Sequence, residues 1–288
     1  MLNENFIINQ KQLLGNIDRI LIKKSIAFRV SDIQALSGPV GVISGASWKN
    51  GKLSVKTTDI IAETRKIETQ FSHESLQDLF GIYGEDIYNL IGHYVIDELM
   101  YRIDKDFIDF IKSKASNKGS FQFPGATYNA RLEEVAMSIV IKVNKGLNDL
   151  AISDNRSPNA WAIVSSNVAS LLSSAIGTFL PEDSSNTDDS PSFIGKIAGV
   201  DYYTDYTHIN NNTDNIIFGI KGNGYSKGST IISPYTRTWI DTMTNENGEN
   251  VFFLVDRLGI GINPLDDGVI SEFLGKFSID LSDLNIMK

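Results

Sequence analysis

Between Ile60 and Ile111 the chain carries a helical stretch long enough to dictate the shape of whatever surrounds it. Ile60–Phe71 reads as extended chain, and Ser72–Phe80 predicts a short helix cut by Gly81 and Gly84. A run of roughly thirty residues then follows with no proline and no glycine except Gly92. From Ile87 its apolar residues fall at Leu90, Ile91, Tyr94, Val95, Leu99, Ile103, Phe107 and Phe110, the spacing of one helix face. At about 1.5 Å per residue, Glu85 to Ala115 spans roughly 45 Å, wider than a small domain's core. Such a helix suits a spine through an elongated body, a part found more often in structural and assembly proteins than in compact enzymes.

The flanks are shorter elements. Residues before about 30 are polar and then weakly helical, an arm rather than a domain. From Ser31 to Phe71 the texture becomes strand and turn: Gly38-Pro39 marks a turn, and Asn50-Gly51, between Lys49 and Lys52, marks a hairpin tip. Alternation at Val40 and Val42 and at Leu53 and Val55 supports two paired strands. A lone hairpin is marginally stable in water, so this one must rest on its own molecule or a neighbour. Asn117–Asn129 reads as a loop, and a second helix from Ala130 to about Ile152 presents Leu132, Val135, Ile139, Val143, Leu147 and Leu150. Trp161–Val164 is a buried-strand candidate, and Ser165 or Ser166 caps a short helix through Leu172. Pro181–Ser192 reads as a mobile acidic loop. Strand candidates follow at Ile197–Thr204, Ile216–Lys221 and Thr230–Ile232. Then come a turn at Asn247-Gly248, a long final strand around "VFFLVDRLGIGINPL" and a tail from Asp266. The mixed order, without a steady βαβ rhythm, indicates an α+β fold.

Bulk properties exclude several functions. The 288 residues contain no cysteine, which removes disulfides, thiolate metal sites and thiol nucleophiles together. A net charge of −9, with only Lys23–Lys24 and Arg65–Lys66 as basic clusters, argues against a nucleic-acid track. No apolar run approaches the roughly eighteen residues of a membrane span, and the N-terminus lacks a signal-peptide pattern, so the cytoplasm is the expected place of synthesis.

A search for chemistry returns little. Gly222-Asn223-Gly224 is followed by Gly228 at the wrong spacing for a dinucleotide fingerprint, and no Gly-Lys-Ser/Thr phosphate loop accompanies it. Gly259 and Gly261 within a strand suggest a bend or a close backbone approach. His73, His93 and His208 share no metal spacing, and His93 reads as a packing residue beside the apolar stripe. Asp104, Asp106 and Asp109 read as a solvated helix face, and Asp188-Asp189 as an acidic loop tip. There is no Gly-x-Ser-x-Gly elbow. No catalytic residue, metal or cofactor is expected.

Four pieces, in order, resemble one family. "LIKKSIAFRVSDIQALSGPVGVI" resembles the N-terminal arm and loop entry of the major capsid proteins of T-even-type tailed phages. Thr64-Arg65-Lys66, Glu74-Ser75-Leu76-Gln77-Asp78-Leu79, Gly84 and Glu98 follow that family's strand, short helix and spine helix. "NAWAIVSSNVASLL" and the strands from "GVDYYTDYT" to "VFFLVDRLGIGINPL" are similar to its axial domain and return strand. Together they cover most of residues 20–265. Two departures stand out. The Val42–Ile60 segment leaves no room for the inserted domain of T-even heads, and no long precursor segment is expected, although Leu2-Asn3-Glu4 fits the family's cleavage pattern.

The resemblance implies the tailed-phage major capsid fold. Residues 1–35 would form the N-terminal arm and 36–70 the extended hairpin loop; 71–157 with 246–288 would form the peripheral domain with its spine helix, and 158–245 the axial domain. The implied function is self-assembly into hexamers and pentamers of an icosahedral or prolate head shell that encloses phage DNA without sequence-specific binding. Partners would be copies of itself and scaffold, portal and decoration proteins, in a virion head assembled in the host cytoplasm. Trp48, Lys49, Lys52, Arg65, Lys66, Asp256 and Arg257 are the expected inter-subunit contacts, with Trp48 packing either on a neighbour or on its own sheet. The alternatives are a pentameric vertex protein, an encapsulin-type shell, or an α+β hydrolase using a carboxylate pair in a closed cleft.

Overall fold

The computed structural model describes residues 17–49, 52–84, 87–122, 132–154, 159–175, 192–208, 214–222, 228–244, 250–266 and 271–280. In chain order the elements are α1 (17–24), α2 (Ile26–Val30), β1 (Asp32–Ile33), β2 (Val40–Lys49), β3 (Lys52–Ile61), β4 (Glu63–Phe71), α3 (His73–Tyr83) and α4 (Ile87–Lys114). They continue as β5 (Ala115–Gln122), α5 (Leu132–Asp154), β6 (Asn159–Val164), α6 (Ser166–Ala175), β7 (Phe193–Ile197), β8 (Val200–Thr204), β9 (Asp214–Lys221), β10 (Thr230–Thr244), β11 (Asn250–Ile262) and β12 (Ser271–Asp280). Three sheets result: four strands in the order β1-β10-β11-β4, six in the order β5-β12-β9-β6-β8-β7, and the β2-β3 hairpin.

The long helix forms where its pattern places it, as α4 of 28 residues. Its buried apolar stripe is Ile91, Val95, Ile96, Leu99, Met100, Ile103, Phe107, Ile108 and Ile111, whereas Tyr94 points to solvent and Phe110 is half-buried. At about 1.5–3 kcal/mol for each fully buried large apolar side chain, this stripe supplies on the order of 15–25 kcal/mol of gross burial. Helix propensity alone could not hold so long an element in place. The stripe packs with α1 and α2, with Ile67, Leu254 and Leu258 of the four-stranded sheet, and with Trp161, Ile163, Ile217 and Leu274 of the six-stranded sheet.

Strand β6 shows why the six-stranded sheet is buried on both faces. Trp161 and Ile163 join the α4 core, while Ala160, Ala162 and Val164 join a second core beneath α5 and α6. That is the two-residue alternation of a strand covered on both sides. In the second core Phe218 stacks on Phe277 with ring centroids 5.0 Å apart.

Asp104 lies inside the α4 stripe, fully buried, and not on a solvated face with Asp106 and Asp109. It accepts hydrogen bonds from Ser25 Oγ at 2.6 Å, Ala27 N at 2.9 Å, Ile26 N at 3.1 Å and Tyr206 Oη at 2.5 Å. The carboxylate thus caps the N-terminus of α2 from a different helix. Burial pushes its carboxyl above its ordinary value, and the four donors pull against that shift.

A second polar link joins the C-terminal half of α4 to the end of β8. Lys112 Nζ donates to Asp205 at 2.8 Å, and His208 lies between Asp205 and Asp109 at 3.2 and 2.8 Å. Burial raises the Asp205 carboxyl, but donors from Lys112 and Thr207 outweigh it and hold it below its ordinary value.

Several local expectations change. Helix α3 runs through Gly81 and stops at Gly84, whose φ of +61° is the left-handed conformation of a helix end. Residues 271–280 form β12 inside the six-stranded sheet rather than a tail, and β5 occupies the start of the expected 117–129 loop. The expected domain boundaries cut across both sheets: β5 and β12 lie outside 158–245 yet pair in the six-stranded sheet, while β10 lies inside it and pairs in the four-stranded one. The 181–191 loop, the hairpin tip at 50–51 and the turn at Asn247-Gly248 fall outside the described residues.

Replacing Asp104 with alanine orphans four donors and opens a hole in the core. We expect a loss of about 3–5 kcal/mol by urea unfolding, with Asp104→Asn intermediate. The exposed Asp97→Ala is the control and should change stability by no more than about 0.5 kcal/mol.

Candidate functional site

The hairpin β2-β3 pairs without a register shift from Val40↔Ile61 to Lys49↔Lys52, which leaves Asn50-Gly51 as a two-residue connection. Because cross-strand partners share a face, the ribbon has two distinct sides. On one side Ile43 and Ile60 are buried with Leu36, Ala62 and Ile231. On the other, Val40, Val42, Leu53, Val55 and Ile61 are 56–65% exposed. Trp48 pairs with Leu53 in the ladder.

The buried side is fitted to β11. A Cβ on Gly259 would lie 2.8 Å from Ile60 Cγ1 and 2.9 Å from the Ile61 carbonyl oxygen, and one on Gly261 would lie 2.8 Å from Ile43 Cδ1. The two glycines make a trough for two isoleucines, the close approach expected of glycine in a strand. Gly45 meets the Asn263 side chain in the same way. Asn263 is itself fixed, donating from Nδ2 to Gly228 O at 2.8 Å and accepting from Leu265 N at 3.0 Å. Gln34 completes the anchor, since its amide both donates to Ser44 O and accepts from Ser44 N, as a neighbouring strand would.

The expected contact residues separate into two groups. Arg65 and Asp256 face each other in register between β4 and β11 and are both buried within this chain. Arg65 donates from Nε to Asp106 at 2.8 Å and from Nη1 to the Leu258 carbonyl. Burial within the sheet keeps both off the exposed surface of the isolated chain. Lys66 is exposed, 3.2 Å from Glu68 and 3.8 Å above the Phe253 ring, and Arg257 lies over the Tyr235 ring at 5.1 Å. Lys52 is exposed on β3, and Lys49 pairs with it in register at the end of β2. What the sequence reading missed is the exposed apolar face itself; its signal was the alternation at Val40, Val42, Leu53 and Val55.

Among the described residues no three His, Asp or Glu side chains gather as a metal site, and His93 is exposed rather than packed. No helix of the described residues is long and apolar enough to cross a membrane.

Comparison with known proteins bears directly on this arrangement. The family model described as "Major capsid protein Gp23" matches residues 13–278. The major capsid protein of Vibrio phage KVP40 is 24% identical over 251 residues, covering 79% of this chain and 48% of that protein. The chain therefore spans about half the length of the curated relatives it matches. Among solved structures, the capsid of Ralstonia phage GP4 superposes with a TM-score of 0.57 at 11% identity, covering 89% of this chain and 91% of that one. The holo-SrpI encapsulin of Synechococcus elongatus PCC 7942 gives 0.60 at 10% identity, covering 90% and 89%. The fold is that of tailed-phage capsid subunits, α+β as the sequence indicates.

The glycine trough makes a sharp expectation. Gly259→Ala pushes a methyl against the Ile61 carbonyl, which cannot move without shifting the strand, and should cost about 1–3 kcal/mol. Hydrogen exchange should then accelerate in the hairpin and at β11 while the six-stranded sheet keeps its protection.

Proposed function

The chain belongs to the Gp23 major capsid protein family, and from that premise we propose that it is the repeating subunit of a phage head shell, assembling into hexamers and pentamers around packaged DNA. The observation that carries this reading is the two-sided hairpin: one side is fastened to its own subunit, and the other offers five exposed apolar residues. A neighbouring copy is the surface that covers them. Five such side chains contribute on the order of 5–10 kcal/mol of gross burial per contact if covered. Exposed ion pairs contribute ~0–1 kcal/mol each, so Lys49, Lys52, Lys66 and Arg257 set register and Trp48 with the apolar face sets strength. Each copy repeats the contact around a ring and across the shell, so modest pairwise affinities multiply.

In this reading, residues 1–35 serve as the arm and 36–70 as the extended loop. Helix α4 and the four-stranded sheet, β10 included, form the peripheral part, and the remainder of 158–245 contributes the axial part of each ring. Scaffold, portal and decoration proteins are its further partners, and assembly takes place in the host cytoplasm. The family is structural, and we assign the subunit mechanical work with no catalytic step. The fold would equally serve an encapsulin-type shell, as the SrpI likeness illustrates; the Gp23 match is what favours a phage head, with a vertex position as the variant reading.

Electron microscopy of the concentrated protein should show capsomer rings or closed shells. The double variant Val42→Asp, Val55→Asp should remain a monomer under the same conditions, with stability within about 0.5 kcal/mol of the parent because both sites are exposed. Assembly of the variant at parental concentration, or a parent that stays as discrete globules and turns over an ester or glycoside, contradicts the reading.

A further inference from the structure

A cleft of about 250 Å³ lies between the arm helices and the middle of β10, lined by α1, α2, Ala35, β10 and Asp256 of β11. Its walls are largely apolar: Leu21, Ile22, Phe28, Pro234 and Tyr235. Two acidic residues are among those that line it, Asp18 of α1 and Asp256 of β11. Asp256 is 4% exposed; its carboxyl accepts a long hydrogen bond from Thr238 Oγ1 to Oδ1 at 3.3 Å and a backbone hydrogen bond from Arg257, while its Oδ2 has no hydrogen-bond partner.

A buried carboxylate oxygen without a donor costs about 1–3 kcal/mol or more, so its persistence calls for a reason. The cations nearby do not supply the missing donor. Arg65, opposite in the sheet, gives Nε to Asp106 and Nη1 to the Leu258 carbonyl, with Glu63 3.7 Å from its Nη2. Arg257 lies over Tyr235, and Arg237, the cation among the cleft's lining residues, is exposed. The site therefore combines a buried acceptor, a second acidic residue and a largely apolar wall.

We propose that this cleft binds an alkylammonium group, with its methylene stem against Leu21, Ile22, Phe28 and Tyr235 and its ammonium on the carboxyls of Asp256 and Asp18. A primary ammonium carries three donors on a flexible apolar stem and matches both halves of the site. Two sources share that chemistry: a lysine side chain of a second copy, for which exposed Lys52 near the hairpin tip is the natural donor, and a free diamine. The inference concerns the isolated subunit and stands independently of shell formation. Burial pushes the Asp256 carboxyl up to about 6, with Arg65 and Thr238 pulling it down and Asp18 pushing it up. A bound ammonium favours the ionised form, so binding is strong above that range, weakens as pH falls through it, and releases a proton near pH 6.

The test is calorimetric titration of the full chain with 1,4-diaminobutane at pH 8, with 1,4-butanediol as the uncharged counterpart. The diamine should bind, the diol should not, and titrations near pH 6 in buffers of different ionisation enthalpy should report proton release. Asp256→Asn should weaken binding by about tenfold or more, the size of one charge-assisted hydrogen bond. Asp18→Asn, a change on the arm helix, should also weaken it and guards against a folding defect in the first variant. Equal binding of diol and diamine, or diamine binding untouched by either substitution, overturns the proposal. The source is read separately by sedimentation. If Lys52→Ala weakens self-association and diaminobutane competes with the parent's, the ammonium comes from a second copy; if self-association is unaffected while the diamine still binds, the ligand is free amine.

Discussion

The subunit is organised around one buried carboxylate. Asp104 projects from the middle of the long helix into a core that is otherwise apolar, where it ties together three pieces of chain far apart in sequence: Ser25 before α2, the first turn of α2, and Tyr206 after β8. Burying a charge costs several kcal/mol unless it is well hydrogen-bonded, and here two backbone and two hydroxyl donors offset that cost. The apolar stripe of α4 supplies the gross stabilisation, but apolar contacts are non-directional. The carboxylate supplies direction, since only one placement of the arm helices satisfies all four donors. Lys112, Asp205 and His208 repeat the device near the C-terminal end of the helix, so the segment after β8 is fixed to the same beam at two points.

With the body fixed in this way, the hairpin is anchored along one side. Ile43 and Ile60 seat on Gly259 and Gly261, and the side-chain amide of Gln34 stands in for a strand partner at Ser44. The molecule satisfies one side of the ribbon and leaves the other apolar and exposed, which a solitary soluble protein has reason to avoid. That asymmetry links packing to the proposed function: in that reading, the element that the chain anchors is the one a second copy completes.

Much of this was legible in the residues, and the failures have identifiable causes. The helical spacing from Ile91 to Phe107 located the spine, and Asn-Gly located the hairpin connection. Glycine within the "LGIGI" strand announced the close approach of Ile43 and Ile60. Asp104 was misplaced because its charge was weighed above its position. It stands four residues after Met100 and four before Ile108, on the face those residues bury. Strand β12 was hidden by Gly275, which interrupts its apolar alternation and leaves the space that Phe218 fills. Pro234 made β10 look short, whereas the strand continues through register shifts on either side of Thr236. Arg65 and Asp256 looked like surface charges because no local pattern reveals that β4 and β11 pair in a buried register.

The central claim is that the exposed face of the hairpin is completed by another copy of the same chain. A cryo-electron microscopy reconstruction of the assembled protein, at a resolution that places side chains, tests it most directly. The account predicts Val42, Leu53 and Val55 covered by a neighbouring subunit while Ile43 and Ile60 keep their seats on their own β11. A shell in which those three residues still face solvent, or a hairpin turned over so that the isoleucines leave Gly259 and Gly261, contradicts it.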